Sequence, residues 1–446
     1  MPGSPQSPVG DEQVTESGDV GLWAAFDDAR WFGGKGRDGR CVSVTPLDWY
    51  GPGPGDASVA VRSEVATIAY PDGGVEDYQL LVSYRHEVLP EAELAQGAEV
   101  EGAGRAHDAL RDPEALALYV TAIARQAETP SWSAVVRQSD ALQGAVRVFG
   151  GEQSNTSLMV GTSSMVKLFR KLEHGHNLDI AVHDALGRSG VSVAAALHGW
   201  VEGRVAPGDR PAFRTDLAMV VEQLREAADG WDLATASAHD GTDFTDQARA
   251  LGRSLASVHQ ALADTFPAGR VDGRVVADTM ERRLEAATKV APVLAEHAPA
   301  LRQLFDGLRG MPLNVQQIHG DFHLGQTLST PHGWRIIDFE GEPMKTLSER
   351  AEPDSKWRDV AGMVRSFSYA TSGADDPSSP AARAWGEATT EAFLAGYSSS
   401  ITAAQRAALD AYTADKAIYE VVYETRNRPS WVHIPMRAIV ALTERN

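Results

Sequence analysis

The sequence predicts a mixed α+β chain, strand-rich in its first half and helical in its second. Three observations predict it. Short apolar runs separated by glycine-rich and polar turns fill residues about 20–95 and again about 140–225, the pattern of small sheets. After Trp231, apolar residues recur at three- and four-residue spacing, the period of amphipathic helices. Within that helical half lies a polar loop, Gln317-Ile318-His319-Gly320-Asp321-Phe322-His323-Leu324-Gly325-Gln326, followed by Ile336-Ile337-Asp338-Phe339-Glu340.

The 446 residues are enough for two or three domains with large cores, and 43% hydrophobic content is that of an ordinary globular protein. With 61 acidic against 41 basic residues the net charge is −20, so nucleic acid and anionic membranes are poor partners and a small molecule is expected. The single cysteine, Cys41, excludes an internal disulfide or a cysteine-rich metal site. The start of the chain lacks the basic and apolar segments of a signal peptide, and no apolar run reaches membrane-spanning length. A cytoplasmic location is expected.

In chain order, residues 1–19 read as a frayed tail and 20–100 as a first unit. Ser58–Arg62 and Tyr78–Val82 are strand-like there, with the Gly-Pro-rich run 51–55 as a loop between strands. A helix is expected over about 104–127, inside a second unit spanning 101–225. Strands are expected at Gly144–Phe149, Ser157–Val160, Met165–Phe169 and Leu217–Leu224, interrupted by a helix over about 178–189. The third unit, 226–446, shows helical periodicity over 244–265, 280–308, 358–371, 384–398 and 403–426.

The chemistry concentrates in two places. Asp321 in a polar loop can accept the proton of an attacking hydroxyl. Gln326, and Asp338 closing the apolar pair Ile336-Ile337, offer the hard oxygen ligands magnesium prefers; Glu340 or Glu342 can serve a second metal or its water. His319, His323 and His332 lack the spacing of a zinc ligand set. Asp359 and Arg365, on the following helix, are expected to support the loop. In the first half, Gly150–Ser157 lies between strands, and Ser154, Asn155 and Thr156 can donate to phosphate oxygens. Such a turn alone is usually just a hairpin. Lys167 tips the balance, because a lysine on an apolar strand is costly without an anionic partner. Asp179 is preferred over Asp184 as the acid that orients it.

These motifs resemble the HGDxHxxN signature of the aminoglycoside-phosphotransferase and protein-kinase-like fold, with Gln326 in place of the usual asparagine. Gly151–Ser157, Lys167–Arg170, His319–Gln326, Asp338–Pro343, Arg30–Lys35 and Arg428-Pro429-Ser430-Trp431 together resemble the actinobacterial maltokinase family, along nearly the whole chain. The resemblance implies a bilobal kinase-like fold: an N-terminal cap, a β-rich N-lobe and a helical C-lobe. It implies ATP and magnesium, with Lys167 on the phosphates and the backbone of Glu222 and Leu224 at the adenine hinge. It also implies a sugar acceptor contacted by Asp321, His323, Tyr419, Glu420, Glu424, Arg428 and Trp431.

Maltokinases phosphorylate the anomeric hydroxyl of maltose, whereas similar actinobacterial glucosamine kinases act on a 6-hydroxyl. On a helix of about 100° per residue, Asp410, Glu420, Glu424 and Arg428 fall within about 80° of one another, with Asp415 nearly opposite. A carboxylate-rich face suits an ammonium sugar, and Asp410 is the extra carboxylate expected on the amine. Glucosamine is therefore the expected acceptor, by direct in-line transfer, with maltose as the alternative. An aminoglycoside-modifying kinase, and a catalytically dead binding module of the same fold, are the other readings.

Overall fold

The computed structural model describes residues 26–444 apart from 27, 56–57, 90–91, 93, 95–98, 101, 151–154, 343–344, 375 and 378. The chain divides into two compact units, Met1–His176 with His198–Gln223, and Asn177–Leu197 with Leu224–Asn446. The fold is the kinase-like one expected, β-rich and then helical, with a cap at the N-terminal end.

The first unit holds two antiparallel sheets. One is built from β1 (Arg40–Pro46), β2 (Ala60–Ala69), β3 (Val75–Arg85), β4 (Glu99–Val100) and β5 (Gly104–Asp108), in the order β1-β2-β3-β5-β4. Alternation decides its faces: Ala66, Ile68, Tyr78, Leu80, Val82 and Tyr84 share one apolar cluster with Phe26 and Phe32. The opposite face carries buried polar side chains, among them Gln79. Its amide donates to the carbonyls of Phe169 and Leu217, both at 2.8 Å.

Helix α1 (Pro113–Ala124) leads to the second sheet, made of β6 (Trp132–Val136), β7 (Val146–Val148), β8 (Thr156–Val160) and β9 (Ser164–Leu168). After β9 the two-residue strand β10 (Lys171–Leu172) pairs with β3 and joins the first sheet. Strands β11 (Leu197–Val205) and β12 (Phe213–Glu222) complete the second, in the order β6-β11-β12-β9-β8-β7. The helix expected over 104–127 is corrected at its start. Residues 104–108 form β5, paired with β3, and the helix begins only where Asp112 caps it with Pro113 in its first turn.

The second unit begins with α2 (Leu178–Arg188), capped by the Asn177 side chain. Helices α3 (Gly230–Asp240) and α4 (Thr245–Thr265) follow, and α4 buries Leu251, Leu255, Val258 and Leu262 as their spacing predicts. The periodic stretch 280–308 is two helices, α5 (Gly273–Val290) and α6 (Ala298–Asp306), because Pro292 has no amide hydrogen to continue the ladder. Strands β14 (Gly269–Asp272) and β15 (Pro312–Val315) pair with each other. β13 (Ala228–Asp229) pairs with β16 (Thr327–Thr330), which forms a hairpin with β17 (Gly333–Ile336).

A one-turn helix, α7 (Leu347–Arg350), precedes α8 (Trp357–Ala370), α9 (Pro380–Tyr397), α10 (Ala403–Asn427) and α11 (His433–Glu444). Helices α4 and α9 approach closely because Gly252 and Gly396 carry no Cβ. Added atoms there would run into the carbonyls of Phe393 and Arg249. No helix of the described residues is long and apolar enough to cross a membrane.

Candidate active site

The hairpin of β16 and β17 explains why an amide and a carboxylate twelve residues apart lie side by side. Thr327 pairs with Ile336, so the residues flanking the hairpin meet: Ile337 N donates to Gln326 O at 3.0 Å and Gln326 Nε2 to Asp338 Oδ2 at 3.2 Å. Asp338 adopts φ of +64°, a left-handed conformation rare for a residue with a side chain and found where surroundings over-determine it. His319 ties this loop to the one carrying Asp321. Its Nε2 donates to Ile337 O at 3.0 Å, leaving Nδ1 to accept from Asp321 N at 3.4 Å.

Beneath both loops lies Asp359, fully buried on α8. Its carboxylate accepts from His319 N at 2.8 Å, Gly320 N at 2.9 Å and His259 Nε2 at 2.9 Å. With Nε2 donating, His259 Nδ1 accepts from the Tyr397 hydroxyl at 2.9 Å, which extends the chain to α9. Burial pushes the Asp359 carboxyl upward, but the His259 bond and ring and the Gly320 N–H outweigh it and hold the group below its ordinary value. Gly362, one helical turn on, lets α8 lie against the Asp321 loop, since a Cβ there would strike the Phe322 carbonyl.

Asp179, Asp338 and Glu340 offer carboxylate oxygens that all lie within 4.8 Å of one another. Asp179 stands at the start of α2, where it accepts from Phe339 N at 3.1 Å and lies 3.1 Å from His183 Nδ1. Asp184, the other acid weighed for Lys167, pairs with Arg188 at 2.9 Å. Of the two later glutamates, Glu342 is taken by Arg358 at 2.5 Å, whereas Glu340 joins the carboxylate group. Three carboxylates beside the amide of Gln326 make a donor set of hard oxygens that fits magnesium. The Gln326 amide points its NH2 at Asp338, so its oxygen would serve a metal only with the amide turned over.

On the acceptor side, Asp321 Oδ1 lies 3.4 Å from Lys416 Nζ on α10, and His323 Nε2 stands 4.0 Å from Oδ2. Gly325 N donates to His323 Nδ1 at 3.1 Å, and burial holds that imidazole below its ordinary value. A cavity of about 380 Å³ adjoins Asp321, lined among others by Glu342, Arg358, Asp415, Lys416 and Tyr419. Asp415 pairs with Arg283 at 2.6 Å, and burial pushes its carboxyl above the ordinary range in spite of that contact.

Of the acceptor residues expected on α10, Tyr419 stands beside Lys416, whose Nζ is 5.6 Å from its ring centroid. Glu420 is bound by buried Arg365 at 2.7 Å. Buried Glu424 accepts from Arg428 at 2.7 and 2.9 Å and from the Tyr369 hydroxyl at 3.3 Å. Arg428 in turn covers the Trp431 ring at 4.5 Å and the Tyr423 ring at 5.6 Å. Tyr419, Tyr423 and Trp431 keep 49%, 44% and 40% of their surface exposed, unusually much for large aromatic side chains.

Asp410 lines a different cavity, of about 980 Å³, among Arg365, Arg383, Arg406 and Arg437. Of the acceptor residues expected on α10 and just after it, Tyr419 lines the cavity beside Asp321, whereas Asp410, Glu420, Glu424, Arg428 and Trp431 do not. The residues of that wheel face meet different neighbours: Asp410 faces the cavity among α8, α9 and α11, whereas Glu420 and Glu424 meet Arg365 and Tyr369 of α8. Of the residues of α10 that line the Asp321 cavity, Tyr419 is one expected at the site, whereas Asp415 and Lys416 are not. One signal was available: the i, i+3, i+7 stripe through Lys416, Tyr419 and Tyr423.

The nucleotide residues expected in the first unit are placed as follows. Ser154 and Gly151 lie outside the described residues. Asn155 Oδ1 accepts from Arg170 N at 3.1 Å and Thr156 Oγ1 from Arg170 Nε at 2.8 Å, so a buried arginine engages both side chains. Lys167 is half-buried in β9, opposite Ser157 and Met219. Glu222 ends β12 opposite Ser164, and Leu224 follows at the start of the next segment.

Two family models match the chain, the maltokinase N-terminal cap domain over residues 26–112 and the phosphotransferase enzyme family over 146–398. The glucosamine kinase of Mycolicibacterium smegmatis is 29% identical over 318 residues, 66% of this chain and 78% of the relative. That of Streptacidiphilus jiangxiensis is 29% identical over 355 residues, 71% of this chain and 78% of the relative. Among solved structures, a glucosamine kinase in complex with glucosamine, ADP and inorganic phosphate superposes with a TM-score of 0.66 at 23% identity. It covers 95% of this chain and 98% of that one.

Proposed function

From a chain that belongs to the phosphotransferase enzyme family, as this one does, we propose an ATP-dependent sugar kinase that phosphorylates glucosamine on its 6-hydroxyl. The chain is a phosphotransferase with an alcohol group as acceptor. The finer reading, glucosamine, is supported by two relatives of that name aligned over about two thirds of the chain.

The observation that carries the mechanism is the double hold of His319, which fixes the Asp321 loop and the Asp338 loop to each other. In the proposed reaction the sugar hydroxyl gives its proton to Asp321 as its oxygen bonds to the γ-phosphorus and ADP departs. No phosphoenzyme forms, and the configuration at phosphorus inverts once. Lys167, Asn155, Thr156 and Ser154 are the first unit's residues assigned to the triphosphate, and the backbone of Glu222 and Leu224 to the adenine. Asp179 is assigned to orient Lys167. Gln326, Asp338 and Glu340 would hold magnesium, which when bound neutralises charge on the transferring phosphoryl oxygens. His323, Tyr419, Glu420, Glu424, Arg428 and Trp431 are assigned to the sugar.

A second reading, maltose 1-phosphate synthesis, has its own support. The cap model over 26–112 is that of maltokinases, and the cavity beside Asp321 has Arg283, Lys345, Arg358, Lys416 and Arg426 against Asp321, Glu342 and Asp415. Such a lining does not favour an ammonium group. ADP release from Mg·ATP with glucosamine and maltose in parallel separates the two, with Asp321→Ala as the blank. Loss of the base should cost about 10²–10⁴-fold. Turnover on maltose alone would refute glucosamine.

A further inference from the structure

We propose that Lys416 is the positioning residue of Asp321: its ammonium holds one carboxylate oxygen so that the other is left for the acceptor hydroxyl. The inference rests on Asp321 being the base, as proposed above. Lys416 Nζ lies 3.4 Å from Oδ1, while Oδ2 has His323 Nε2 at 4.0 Å, beyond hydrogen-bond reach. The two oxygens are thereby made different. Lys416 is rooted in the middle of α10, whose Ala414, Ala417, Ile418 and Val421 are buried, so its backbone is fixed and only its stem can swing. Of the other cations of the same cavity, Arg283 pairs with Asp415, Arg358 with Asp354 and Glu342, and Lys345 with Glu342.

Charge bookkeeping in the transfer gives the ammonium its part. Before the step Asp321 is an anion and Lys416 its counter-ion. As the sugar O–H bond breaks, the proton passes to Asp321, the oxygen–phosphorus bond forms, and the bond from phosphorus to the ADP oxygen breaks. Asp321 is then a neutral acid, and the ammonium has lost its partner in the same event that leaves a phosphorylated sugar beside it. Release of Lys416 and proton transfer are one change of charge. A second consequence concerns selectivity. With a cation resident on Oδ1, the ammonium of an amino sugar cannot take that oxygen, so the base meets a hydroxyl and the amine is received elsewhere.

The test uses the full-length chain with Mg·ATP and glucosamine or maltose, whichever the parent turns over. Lys416→Ala should lower kcat by about tenfold or more while the KM for ATP stays within about twofold. Lys416→Arg should recover much of the loss. Ethylammonium should restore Lys416→Ala saturably and leave Lys416→Met, which fills the same space without charge, unrescued. Full activity in Lys416→Ala with an inactive Asp321→Ala would overturn the role of Lys416 alone. Equal losses in Ala, Met and Arg variants with no response to the amine would also overturn it. Turnover surviving in Asp321→Ala would remove the base and this inference together.

Discussion

Asp359 is the side chain on which the geometry of the catalytic loop most depends, and its removal can be worked through in numbers. It accepts three hydrogen bonds at 2.8–2.9 Å, from His319 N, Gly320 N and His259 Nε2, with no exposed surface. Bonds to a buried charged acceptor contribute about 1.5–3 kcal/mol each, but they share one group and do not add. Removing one partner of a buried charged cluster costs about 3–5 kcal/mol, which is the figure expected for Asp359→Ala. Asp359→Asn keeps one acceptor oxygen and turns an NH2 against a donor, so about half that loss is expected. For a unit of this size each kcal/mol moves the melting temperature by about 2–4 °C, giving roughly 10 °C for the alanine variant. Displacing the loop by about 1 Å should lower kcat on the order of 10²-fold, with less effect on the KM for ATP.

The pH dependence has a definite sign. The Asp359 carboxyl is held below its ordinary value, so its contribution is complete above about pH 4, where the unfolded carboxyl ionises, and is lost as pH falls through the folded value. The wild-type chain should therefore lose stability more steeply below about pH 4 than Asp359→Asn does. Differential scanning calorimetry across pH, with ADP release at neutral pH, checks both halves. An asparagine variant that melts within about 1 °C of the parent and keeps its kcat would refute the reasoning.

Two further substitutions test neighbouring joints. Gly362→Ala puts a methyl against the Phe322 carbonyl, a backbone contact that cannot swing aside, and should cost about 1–3 kcal/mol with a fall in kcat; a neutral effect on both would show that α8 can shift. Arg170→Met removes the bonds to Thr156 Oγ1 at 2.8 Å and Gln79 O at 3.1 Å, and should cost about 2–4 kcal/mol in calorimetry and raise the KM for ATP more than it lowers kcat. An unchanged melting profile would refute it.

The parts of this protein that were legible in the sequence are those in which chain distance and spatial distance are short. The period of α4 showed which face is buried, and the loop from His319 to Gln326 with Asp338 beyond it needed only one hairpin to bring its groups together. Joints between distant segments were not legible. Nothing in the spacing connects His259 to Asp359 one hundred residues on, or Gln79 in β3 to Phe169 and Leu217.

The strand at 104–108 was lost for a related reason. Its alanine-rich surroundings favour a helix locally, and pairing with β3 and β4 draws it into a ladder. Helix α10 shows the limit most sharply. A helical wheel fixes which of its residues share a face, and it placed Asp410 and Asp415 apart correctly. It cannot say what each face meets. That is decided by α5, α8, α9 and α11, which close one cavity over Asp415 and Lys416 and another over Asp410. Choosing Asp410 amounted to choosing a neighbour, and an isolated helix has none. Lys416 was hidden for the same reason, since a lysine on an amphipathic helix reads as solvated until a carboxylate from 95 residues upstream is set beside it.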